Sequence, residues 1–105
     1  MRIYLWNHNL CEWELFDDEE KIKKGFKERC ILFGNGAKIG DWAKIGNGAE
    51  IGNGAEIGNG AKIGDEAKIG DEAKIGNGAE IGNGAEIADE AEIGKEAESD
   101  DRARM

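Results

Sequence analysis

The chain has 105 residues, a formal net charge of −9 and not one Pro, Val, Thr or Gln. That length holds a single domain. The acidic balance disfavours nucleic acid and anionic membrane as partners, because both need a basic footprint, and no apolar run approaches the ~20 residues of a membrane span.

The first segment, residues 1–32, shares no pattern with the rest and reads as an N-terminal cap. Arg2 to Trp6 is expected to form a short strand, with Leu10, Trp13 and Phe16 as apolar anchors after it. Asp17 followed by Glu20 fits an N-terminal capping pattern. Ile22, Phe26 and Cys30 then recur every fourth residue, which predicts one amphipathic helix over 18–29. Lys21, Lys24 and Lys27 occupy its opposite face. Gly25 weakens that helix by roughly 1 kcal/mol relative to Ala. No basic stretch followed by an apolar run opens the chain, so a cleaved signal peptide is not expected. Cys11 and Cys30 are too few for a disulfide framework and read as reduced thiols in a cytoplasmic protein, a single Cys11–Cys30 bridge being the alternative.

From Phe33 to Glu98 the sequence repeats every six residues, eleven times, without insertion or deletion. A large apolar residue stands at Phe33, Ile39, Ile45, Ile51, Ile57, Ile63, Ile69, Ile75, Ile81, Ile87 and Ile93, and an alanine follows each four places later. Within Ala49-Glu50-Ile51 the outer two residues point one way and the middle one the other, as in a strand. Asn53-Gly54 then tolerates positive φ and turns the chain. Each hexad is thus a short strand plus a corner. It cannot bury its Ile alone, so hexads must stack on copies of themselves.

This region resembles the hexapeptide-repeat family. The family motif is an aliphatic residue, a small or acidic one, two variable positions, a small residue and a variable one, and Ile45-Gly46-Asn47-Gly48-Ala49-Glu50 fits it throughout. The resemblance implies an all-β fold: a left-handed parallel β-helix with triangular coils, three hexapeptides per coil, here with a small N-terminal α-helical cap. Residues 33–98 would form the helix proper, and 99–105 a frayed tail.

Three hexads per coil superimpose residues eighteen apart, ~4.8 Å from one another. The charges agree. Lys38, Glu56, Lys74 and Glu92 alternate in sign down one column, and Glu50, Lys68 and Glu86 down a second. Lys44, Lys62, Glu80 and Glu98 have one mixed contact between two like pairs. Coils of two hexads would alternate less.

Function is less legible. Enzymes of the resembled family transfer acyl groups with a His that projects from a coil, at sites where trimer neighbours meet. The repeat here has no His, and His8 in the cap reads as an ordinary polar residue without the positioned second group that acid–base catalysis needs. The family's zinc-binding carbonic anhydrase branch uses three His, which this chain does not have. Asp71, Glu72, Asp89 and Glu90 share a corner but code no cation cage. The Gly-Asn-Gly stretches lack the Lys-Ser/Thr of a phosphate loop. The absence of Thr argues against an ice-binding face. No catalytic, cofactor-binding or metal-binding residue is therefore predicted, and no cofactor. Trp42, a large aromatic on an outward corner, is expected either to pack on Trp6, Trp13 or Phe16 or to anchor a partner chain.

The expected function is a non-catalytic structural or self-assembly module, forming a homo-oligomer either laterally, as the family's trimers imply, or end to end through the last coil. A degenerate or truncated acyltransferase and an acidic scaffold for a basic protein are the alternatives. The near-identity of the repeats fits duplication or consensus design equally well.

Overall fold

The computed structural model describes residues 2–105. The chain opens with a hairpin in which β1 (Ile3–Asn7) runs antiparallel to β2 (Glu12–Phe16). The second strand is an addition to the single expected one. Its turn is set by polar side chains: Asn7 Oδ1 accepts from the Leu10 amide at 3.0 Å, and Asn7 Nδ2 donates to Glu14 Oε1 at 2.9 Å. Cys11 closes the turn at φ 52. Leu10 is consequently at the hairpin tip, 63% exposed, and anchors nothing. Trp13 meets Trp6 edge to face, with ring centroids 5.4 Å apart.

The only helix among the described residues, α1, spans Glu19–Glu28. Its N-cap is Asp18 rather than Asp17. Asp18 is extended, and its Oδ1 accepts from the Glu20 and Lys21 amides at 2.8 and 3.3 Å. Ile22 and Phe26 face inward as expected, but Cys30 lies beyond the helix, exposed, at φ 56. Buried Ile31 takes the next inward place instead, its amide donating to the Phe26 carbonyl. Gly25 has a structural reason. A Cβ there would stand 2.7 Å from Leu5 Cδ1, so the missing side chain lets β1 lie close to α1.

The remainder is a three-sided parallel solenoid. One side stacks β3 (Leu32–Phe33), β6 (Glu50–Ile51), β9 (Lys68–Ile69) and β12 (Glu86–Ile87). A second stacks β4 (Lys38–Ile39), β7 (Glu56–Ile57), β10 (Lys74–Ile75) and β13 (Glu92–Ile93). The third holds β5 (Ala43–Ile45), β8 (Lys62–Ile63) and β11 (Glu80–Ile81). Ile51 pairs with Ile69 in register, as the eighteen-residue repeat requires. Inside the tube Ile45 and Ile63 are fully buried, and so is every Ala from Ala43 to Ala85. Each such Ile contributes roughly 1.5–3 kcal/mol.

The hairpin completes the third side. β1 lies parallel to β5, pairing Ile3 with Ala43, Tyr4 with Lys44 and Leu5 with Ile45. Ile3 and Leu5, both 0% exposed, thereby head the Ala and Ile columns, and Tyr4 points outward above Lys44. The cap thus copies the Ala-Lys-Ile strand of a hexad with other residues. Arg29 secures it, donating through Nε to the Trp6 carbonyl at 2.8 Å while its guanidinium lies 5.3 Å from the Phe16 ring.

At the other end, residues 99–105 continue the coil where a frayed tail was expected. The Met105 amide donates to the Glu86 carbonyl, Glu86 to Ala103, and Arg102 to Asn83. Ser99 to Arg104 is a twelfth hexad with Ser in the aliphatic position. That substitution hides it from an Ile-based reading, although Asp101 and Ala103 keep the phase.

Candidate functional site

The interior is filled by Ile and Ala, so whatever this chain recognises must meet its outer surface. Three kinds of position make that surface: the outward residue of each strand, the corners, and the cap.

Among the corners, the first residue of each pair does more than turn the chain. From the second coil on, and with the exception of Lys95, its side chain accepts a hydrogen bond from the backbone amide one coil earlier. Asn35 donates to Asn53 Oδ1 at 2.8 Å, Asn53 to Asp71 at 2.9 Å, and Asp71 to Asp89 at 2.8 Å. The same ladder runs down the other corners, from Asp41 to Asn59 and from Asn47 to Asp65. Sequence reasoning ascribed the Asn-Gly pairs to backbone conformation alone. The signal for the ladder was present, since Asn or Asp fills this position in every hexad except at Lys95. The second corner residue adopts positive φ whether or not it is glycine; Trp42 does so at φ 68 and Glu66 at φ 59.

The ladder also takes in the acidic corner. Asp71 and Asp89 accept backbone amides, and Glu72 and Glu90 hold the left-handed turn positions beside them. Among the described residues no three His, Cys, Asp or Glu side chains gather into a metal-holding group. His8 sits exposed in the hairpin turn, outside every coil, near a shallow surface formed with Asn7, Glu28 and Asn47. Cys11 and Cys30 are both exposed and unbridged. No helix among the described residues is long and apolar enough to cross a membrane.

Trp42 packs on the cap, but on Tyr4 rather than on Trp6, Trp13 or Phe16. The two rings lie 6.1 Å apart, and Trp42 stays 48% exposed. The reason is the pairing of β1 with β5, which sets Tyr4 directly beside the Trp42 corner. On the opposite shoulder a groove runs between α1 and β3, lined by Ile22, Phe26, Ile31, Leu32 and Phe33 with Lys23 and Lys27 at its margin.

The outward strand residues form the charge columns. On two sides ion pairs form within the columns. Lys68 lies 4.0 Å from Glu50, Lys74 4.0 Å from Glu56, and Arg104 3.3 Å from Glu86. Arg104 thus extends the second alternating column by one residue beyond Glu86. The third side differs. Lys44 stacks on Lys62, and Glu80 on Glu98. Neither like pair is relieved within the column, and the ion pairs among the described residues draw on none of its four members. Lys44 leans on the cap, its Nζ 5.7 Å from both the Tyr4 and Trp13 ring centroids. Glu98 has its carboxyl pushed above the usual carboxylate range, first by hydrogen bonding to Glu80 and then by repulsion from it.

A protein-family model described as bacterial transferase hexapeptide (six repeats) matches residues 31–65 and 60–95. No curated protein matches the chain.

Proposed function

The chain belongs to the bacterial transferase hexapeptide family, and from that premise we propose that it is a non-catalytic structural or self-assembly module. The observation that carries this reading is the composition of the tube's outer faces. From Lys38 to Arg104 every outward strand position is Lys, Glu or Arg, arranged in columns one coil apart. Such faces are regular, flat and charged. They suit association with another ordered surface better than they suit the capture and chemical conversion of a small molecule. The sole His is exposed on the hairpin turn, outside every coil. Leu32, Phe33 and Trp42, exposed by 61, 38 and 48%, add apolar area around the first coil of a kind that proteins use for association.

Light scattering across the micromolar range tests the proposal. Mass above that of a monomer is expected, and a monomer at every concentration would remove it. Thermal unfolding with coenzyme A or acetyl-coenzyme A tests the acyltransferase alternative in the same sample. No shift is expected; a concentration-dependent rise in Tm would favour a degenerate transferase.

A further inference from the structure

The third side of the tube carries Lys44, Lys62, Glu80 and Glu98 in one file, cations toward the cap and anions toward the last coil. Within one chain this order is unfavourable, since like charges stack directly on each other at both ends. Read backwards, the file is its own charge complement.

Resting on the self-assembly reading above, we propose that this side is an isologous interface on which a second copy of the chain lies antiparallel. A twofold axis perpendicular to the tube, placed between Lys62 and Glu80, sets Lys62 against the second copy's Glu80 and Lys44 against its Glu98. Symmetry then repeats both contacts, so every charge in the file meets its opposite. A twofold axis parallel to the tube would instead oppose Lys44 with Lys44 and Glu80 with Glu80. The other two sides have less to gain, because Glu50, Lys68, Glu86 and Arg104 on one, and Glu56 and Lys74 on the other, already form ion pairs within their own chain. Exposed ion pairs are individually weak. The dimer is therefore salt-sensitive and specified by charge order more than by area.

Charge reversal at the centre of the file tests this, because Lys44 is already engaged by Tyr4 and Trp13. In K62E the axis opposes two Glu–Glu pairs, and in E80K two Lys–Lys pairs. Each variant is expected to self-associate at least about tenfold more weakly than the parent at low salt, by sedimentation equilibrium. Mixed in equal amounts, K62E and E80K restore four opposite pairs and should form a heterodimer of parental strength. Circular dichroism melts establish that both variants are folded. Parental association that reversal leaves unchanged would overturn this interface while leaving self-assembly intact. Loss on reversal without recovery in the mixture would overturn the antiparallel geometry. A parent that stays monomeric at low salt would overturn both the interface and the self-assembly reading.

Discussion

The backbone amide of Asn59 donates to Oδ1 of Asn77 at 2.8 Å, from one coil to the next. Asn77 plays the acceptor there, yet its own amide has no such partner, because the next residue down the column is Lys95. A lysine cannot accept. The ladder therefore breaks at one rung that a single substitution should mend.

Lys95→Asn is expected to stabilise the chain by about 0.5–1 kcal/mol, the net worth of one such bond. Thermal unfolding followed by circular dichroism should show a Tm higher by several degrees. Lys95→Ala removes the same charge without supplying an acceptor, and should not reproduce the gain. Equal effects from both would mean that the charge, and not the bond, matters.

Gly52 and Gly94 occupy equivalent places in their hexads, each following the inward isoleucine, and should respond differently to alanine. A Cβ on Gly52 would lie 2.6 Å from the Asp71 amide nitrogen, whereas one on Gly94 meets nothing within 4 Å. Gly52→Ala must push two coils apart and should cost on the order of 1–3 kcal/mol. Gly94→Ala should change stability by less than about 0.5 kcal/mol. Urea titration of the two variants separates the cases.

Ile63 is fully buried, while Ile93 is only partly so against the same core. Ile63→Ala should lose about 2–5 kcal/mol, since the rigid coil above and below leaves a cavity that cannot collapse. Ile93→Ala should lose clearly less. A similar loss at both sites would contradict the burial difference.

Glu98 gives a pH dependence of the less common sign. Its pKa is raised in the folded state by Glu80, so the folded chain binds its proton more readily than the unfolded chain does. The repulsion is therefore present above the raised value and is relieved as pH falls through it toward 4.5, the ordinary value. Glu98→Gln should raise Tm slightly at neutral pH, and that advantage should vanish in acid. An advantage that grows on acidification would reverse the assignment.

The coils were legible because they repeat. A contact made by Ile51 with Ile69 is made again by every isoleucine eighteen places on, so the spacing of one residue type reports the geometry of all. The charge columns followed from the same spacing, including the one whose signs do not alternate. The last hexad was missed because Ser99 interrupts the signal by which the others are counted. The use of Asn and Asp as acceptors was missed because Asn-Gly is sufficiently explained as a turn, and only the coil below shows where the side chain goes.

The cap was read less well, and for a related reason. Its contacts occur once. Nothing in Ile3-Tyr4-Leu5 states that it will lie on Ala43-Lys44-Ile45; that choice is made by the open edge the first coil presents. The period of six and the inward isoleucines belong to the sequence alone, because a chain that repeats must bury the same face at every turn; the triangular coil was implied by the family resemblance, with the charge columns in agreement. Which strand closes the tube and which ring Trp42 touches were decided only in three dimensions, where unlike segments meet and packing, not periodicity, selects the partner.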